Sequence, residues 1–266
     1  MLDICAAQRG SKIIVMFHIL AVSSTLLAFC FGSELHPANR ILGGSETDAT
    51  TIPYQVSLEL SNIYRCSGVI VSPSWVVTVA SCLIGTDYAN LVVRAGPVLR
   101  GILGTLRNVS LYVPYPGYDD QIMDYDIALV KLSEDIPFDS TIDSLDIGTE
   151  VPFDGNVATV SGWGATSSGA WLSSVLNERN VTILYFNDCK YLYEGIQNPV
   201  TERMFCAGSR DGGPCQGDPG DPLVYNEQLI GLMSWSFGCG DGKYPAVYTD
   251  VTKFRGWIAD YAGLTI

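Results

Sequence analysis

Cys66-Ser67-Gly68-Val69-Ile70-Val71-Ser72-Pro73-Ser74-Trp75-Val76-Val77-Thr78-Val79-Ala80-Ser81-Cys82 holds two β-rich runs, Ser67–Val71 and Trp75–Val79, on either side of a Ser-Pro-Ser break. β-Branched and aromatic residues suit a pleated, half-buried surface. The pattern continues outward in both directions. Tyr54–Leu60, Leu91–Ala95, Asp126–Leu132, Ala158–Ser161 and Gln228–Trp235 are further short runs, separated by Gly, Pro, Asn and Asp clusters. Strands at this spacing imply a sandwich or barrel. Only the end of the chain changes period. Phe254, Trp257, Ile258 and Tyr261 fall at helical spacing, with Thr252 ahead of them as an N-cap, so one C-terminal helix is expected over about 252–262. The polar, aperiodic stretch Ile147–Asn156 reads as a connector between two halves, about 41–148 and 149–250.

The chain has 266 residues, 47% of them hydrophobic and 16% charged, enough to build a packed core. Its formal net charge is -13, which repels phosphate backbones and argues against nucleic-acid binding. Arg9 and Lys12 precede an uncharged apolar run, Ile13–Phe31, that ends near Ala28, Gly32 and Ser33. Residues 1–33 therefore read as a signal peptide, with a retained membrane anchor as the alternative, and residues 34–40 as a short propeptide. Cys5 and Cys30 lie in the targeting segment. Six cysteines remain: Cys66, Cys82, Cys189, Cys206, Cys215 and Cys239. An even number in a secreted chain implies three disulfides, whose pairing composition alone leaves open.

Several stretches, in order, resemble one family. Arg40-Ile41-Leu42-Gly43-Gly44 looks like the activation site of trypsin/chymotrypsin-like serine proteases. The Cys66–Cys82 stretch resembles their histidine motif, and Asp126-Ile127-Ala128-Leu129-Val130-Lys131-Leu132 their aspartate motif. Ser161-Gly162-Trp163-Gly164 and Cys215-Gln216-Gly217-Asp218-Pro219-Gly220-Asp221-Pro222-Leu223 stand where a second-half signature and the serine motif belong. Ser234-Trp235 and Pro245-Ala246-Val247-Tyr248 follow. Together they cover nearly all of residues 41–266, and so many motifs in order make the match specific. The resemblance implies an all-β fold of two six-stranded antiparallel Greek-key barrels, chymotrypsin-like, with a C-terminal helix and a cleft between the barrels. It also implies the pairings Cys66–Cys82, Cys189–Cys206 and Cys215–Cys239. A further family disulfide would join positions held here by Ala158 and Tyr225.

The family's reaction needs a nucleophilic serine, a histidine base, an orienting aspartate and two backbone donors for the oxyanion. Asp126 is present, as is Ser234, which borders the aspartate in the family. The histidine position holds Ser81, whose hydroxyl is no base near neutral pH. The nucleophile position holds Pro219, which lacks both a hydroxyl and an N–H. Losing a triad member costs about 10⁴–10⁶ in rate, and an oxyanion donor about 10²–10³. The only histidines, His18 and His36, precede Ile41, so residues 41–266 can assemble neither a Ser–His or Cys–His couple nor a histidine zinc site. A Ser–Lys pair has only Lys131, Lys190, Lys243 and Lys253 to draw on, none in a cleft motif. The chain is thus expected to be catalytically inactive.

Other family positions carry expectations too. Arg40–Ile41 looks cleavable by a protease with tryptic preference, and the resemblance implies that the new N-terminus would pair with Asp218; the alternative is an inherited pair that is never cut. By the resemblance, the specificity pocket has Gly213 at its base and Ser236 and Ala246 on its walls, which makes it either a site for small or apolar side chains or a partly filled, unused cleft. Asp221, in place of a family glycine, would be strained if its backbone needs a positive φ, or else the loop has relaxed. Asn108-Val109-Ser110 and Asn180-Val181-Thr182 have the form of glycosylation sites. Tyr112, Tyr115, Tyr118 and Tyr125 form either a binding rim or the cover of a barrel end. No Asp or Glu lies between Leu91 and Gly117, which argues against a calcium site there; no metal or cofactor is expected.

Read together, these features describe a secreted, extracellular, monomeric serine protease homologue without catalysis, acting as a cofactor or decoy in extracellular proteolysis. Its partners would be proteases, inhibitors or protease substrates. Residues 41–266 carry 12 basic against 26 acidic side chains, a charge of -14, which favours basic partners. The alternatives are an active trypsin-like endopeptidase and a small-ligand carrier using the dead cleft.

Overall fold

A computed structural model describes residues 44–96, 99–165, 171–184, 186–196, 199–208, 219–238 and 243–265. The first half contributes six strands: β1 Gln55–Leu60, β2 Ile63–Ser72, β3 Trp75–Thr78, β4 Leu91–Ala95, β5 Thr105–Pro114 and β6 Ala128–Leu132. They close into an antiparallel barrel in the order β1-β2-β3-β6-β5-β4. The second half contributes β7 Val157–Gly162, β8 Asn177–Leu184, β9 Met204–Gly208, β10 Pro222–Tyr225, β11 Gln228–Trp235 and β12 Ala246–Asp250. These pair antiparallel as β7-β8-β9-β12-β11-β10, and β10 returns to β7. The two rings thus share one strand order, although the sequence shows no internal repeat.

Local chemistry explains the tight connections. Ser61 and Asn62 join β1 to β2 with φ of 52° and 65°, and Asn226 and Glu227 join β10 to β11 with φ of 48° and 59°. Two successive positive φ angles make the hairpin turn whose twist matches the strands. The connector is only partly free: Asp146–Ile147 pairs in parallel with β11 before the chain reaches β7.

Val56, Leu58, Val69, Val77, Val93 and Leu129 fill the first barrel, and Val160, Val181, Phe205, Ile230 and Tyr248 the second. The C-terminal helix, Arg255–Ala262, returns to the first barrel's core through Ile258, and Phe254 just before it packs there too. Its start corrects the sequence expectation. A 3-10 turn, Val251–Phe254, comes first, and Asp250, not Thr252, is its cap, accepting from the Thr252 N–H. The carboxylate is the better acceptor for an orphan N–H. Tyr115 stacks on Tyr125 at 5.2 Å and meets Phe254 and Trp257 edge-on, so these tyrosines cover the barrel end. Tyr112 and Tyr118 also pack on the first core.

Candidate functional site

Pairing of β3 with β6 sets the site. Thr78 lies opposite Ala128, so the residues just past β3 and just before β6 emerge at one end of the barrel. Ser81 sits there in a 3-10 turn, Ala80–Cys82, which the Cys66–Cys82 disulfide ties to β2. Asp126 lies beside it, fully buried. The Ser81 backbone N–H donates to Asp126 Oδ1 at 2.7 Å, and the Ser81 hydroxyl to Oδ2 at 2.9 Å. From the second barrel, Ser234 on β11 donates to Oδ2 at 2.5 Å, and Thr249 on β12 to the Asp126 carbonyl at 2.7 Å. Both barrels therefore grip one residue. Burial pushes the Asp126 carboxyl up to about 6, against the downward pull of the hydrogen bonds from Ser234 and Ser81. Each hydroxyl has one proton, and both are spent on this carboxylate.

The turn at residues 219–221 is held from both sides. The Pro219 carbonyl accepts from the Ser67 N–H at 3.0 Å, and Gly220 donates to the Met233 carbonyl at 2.8 Å. Gly220 has φ 85°, and a β-carbon there would lie 2.1 Å from the Ser67 carbonyl, so only glycine fits. The positive φ falls on Gly220; Asp221 lies outside the left-handed region and carries no such strain. Its side chain is fully buried. Asp221 Oδ1 accepts from Gln55 Nε2 at 3.3 Å, Nε2 also reaches the Ser161 carbonyl at 2.9 Å, and Ser161 Oγ donates back to Gln55 Oε1 at 2.5 Å. Sequence reading gave no sign of this inter-barrel network, because the partners lie more than 100 positions apart.

The loop before Asp126 is clamped as well. Arg203 donates to both carboxylate oxygens of Asp124, at 2.9 and 2.5 Å, and its guanidinium lies 4.6 Å from the Tyr125 ring centre. Met123 and Tyr125 have φ of 57° and 54°, uncommon for such side chains. Beside this loop a cavity of about 570 Å³ is lined by Asp120, Met123, Ile196, Trp235, Ser236 and Phe237. Ala246 is buried and Ser236 half-buried. The four lysines are engaged elsewhere: Lys131, Lys190 and Lys243 lie over Trp75, Phe186 and Tyr244, and Lys253 donates to the Glu202 carbonyl.

The Cys66–Cys82 and Cys189–Cys206 disulfides are formed. Ala158 and Tyr225 pack together in the second core, where the absent family disulfide would sit. Asn108 and Asn180 are exposed on strands. Arg40, Ile41, Gly213, Cys215, Asp218 and Cys239, and all of residues 1–43, lie outside the described residues. Among the described residues no three His, Cys, Asp or Glu side chains cluster as a metal site, and no helix is long and apolar enough to cross a membrane.

The family model described as trypsin matches residues 41–258. Trypsin alpha of Drosophila melanogaster is 38% identical over 224 residues, covering 84% of this chain and 88% of that protein. Trypsin epsilon of Drosophila erecta is 36% identical over 250 residues, covering 93% and 96%. Among solved structures, that of neuropsin, a serine protease expressed in the limbic system of mouse brain, superposes with a TM-score of 0.75 at 30% identity, covering 82% of this chain and 98% of that one. With the strand order, the two disulfides and the Asp126–Ser234 contact already in place, these matches establish that the chain belongs to the trypsin family.

Proposed function

We propose that this chain is a secreted, non-catalytic trypsin homologue that works by binding, as a cofactor or decoy in extracellular proteolysis. The observation that carries the proposal is the Ser81–Asp126 contact. In a working site the carboxylate orients an imidazole that takes a proton from the nucleophile. Here Asp126 holds a serine hydroxyl, and Pro219 occupies the nucleophile position with neither hydroxyl nor N–H. Secretion rests on the apolar run Ile13–Phe31 and on the disulfides. Cleavage at Arg40–Ile41, with Asp218 receiving the new N-terminus, completes the reading.

The test is turnover of a mixed peptide library by the Arg40-cleaved protein. No hydrolysis above background is expected. Turnover that persists with inhibitors of contaminating proteases present would overturn the proposal. It would favour the second reading, an active endopeptidase, whose support is that the relatives are named trypsins. N-terminal sequencing of the secreted protein separates the maturation claim: Ile41 is expected, and a start at Glu34 or earlier counts against it.

A further inference from the structure

A second cavity, of about 390 Å³, opens on the second barrel. It shares no lining residue with the cavity beside the loop that precedes Asp126. Its walls are apolar: Val151 from the connector, Ile183 from β8, Phe205 from β9, and Phe186 from the helix α1 Phe186–Leu192. Its lip is preformed. The Gly155 N–H donates to the Ile183 carbonyl, the Ile183 N–H donates to the Asn156 carbonyl, and Asn156 donates to the Phe153 carbonyl through both its N–H and its side-chain amide. On that fixed turn the Phe153 side chain is 79% exposed.

The polar groups at the cavity are one-sided. Asp154 and Glu202 are exposed at it, while Asp250 is buried and caps the next turn; the lining holds one cation, Lys253, which donates to the Glu202 carbonyl and lies 3.8 Å from Asp250. An apolar floor under an acidic rim, on a domain whose formal charge is -14, complements a basic ligand with an apolar anchor. Phe153 also lines the cavity, so a peptide side chain seated in it meets an exposed aromatic ring at the lip while its neighbours reach the rim acids.

We infer that this cavity is an exosite for a basic peptide segment, which inserts one aromatic or branched apolar side chain while flanking Arg or Lys residues meet Asp154 and Glu202. The site stands apart from the Asp126 cleft and from whether that cleft turns over. Calorimetric titration of the full secreted chain with acetyl-Arg-Phe-Arg-amide tests it, with acetyl-Glu-Phe-Glu-amide and acetyl-Arg-Gly-Arg-amide as comparisons. The first peptide should bind roughly tenfold or more tighter than either comparison. E202Q, at an exposed position, should weaken it about two- to fivefold, and 0.5 M salt should weaken it too. V151W, which fills the cavity, should abolish binding, and W235A in the cleft should leave it unchanged. Equal binding of the Arg and Glu peptides, no effect of E202Q, or loss in W235A would each overturn the inference. If V151W does not fold, E202Q and W235A decide it alone.

Discussion

A β-carbon added to Gly162 would lie 1.7 Å from Asp221 Oδ2, so these two residues occupy one space between them. Asp221 is fully buried, and it stays buried because β7 ends in a residue without a side chain. Gly162→Ala should therefore destabilise the fold by about 2–3 kcal/mol through overpacking. The same change in an Asp221→Gly background should cost far less. Urea unfolding of the four proteins measures the coupling; additive effects would mean that the carboxylate can move aside freely.

Asp126 makes stability depend on pH. Its carboxyl binds a proton more tightly folded, near 6, than unfolded, near 3.8. Its contribution is present in full below about 3.8 and is lost as pH rises through about 6, a change of roughly 2–3 kcal/mol. Stability should fall between pH 4 and pH 7.5 in the wild type relative to Asp126→Asn, which cannot ionise. Parallel pH profiles for the two proteins would contradict this.

Arg203→Ala should cost about 2 kcal/mol, less than a fully buried pair because 29% of the Arg203 side chain is exposed. Asp124, 5% exposed, would keep only Thr201 and its own turn as partners. Arg203→Lys should recover part of the loss, since a lysine cannot donate to both carboxylate oxygens in the same fork. Thermal unfolding of the two variants reads the difference.

The proposed absence of catalysis gives the sharpest functional prediction. Ser81→His, Pro219→Ser and Asp221→Gly together should restore measurable hydrolysis of peptides with small or apolar residues before the cut. Ser81 already lies at hydrogen-bond distance from Asp126, so an imidazole grafted there has its orienting partner in place. Silence in a folded triple variant would mean that the cleft itself is closed.

How much of this was legible depends on the residue. β4 and β11 were read to the residue, since Leu91–Ala95 and Gln228–Trp235 are apolar and cleanly bounded. β5 was missed by periodicity because in Thr105–Pro114 only Val109 is buried and the apolar residues do not alternate cleanly, with Pro114 at its end. The helix α1 was missed because seven residues are too few to show a period. At the site, Asp126 and Ser234 were legible from motifs. The role of Ser81 as a hydrogen-bond donor to Asp126 was not, since it depends on β3 lying beside β6. Asp124 and Arg203 are 79 positions apart, and nothing local in either stretch points to the other.

The shared order of the two rings bears on how such a chain could change. Each ring completes its own strand pairing, but the first ring's core also takes in Leu229 and Leu232 from β11 and Phe254 and Ile258 from the end of the chain. Residues along the seam between the rings are held as firmly as those inside either ring, since Gln55, Asp126, Ser161 and Asp221 are buried and hydrogen-bonded across it. A scaffold wound twice in one pattern is thus locked along its dividing line, where a group exchanged on one ring must be matched by its partner on the other.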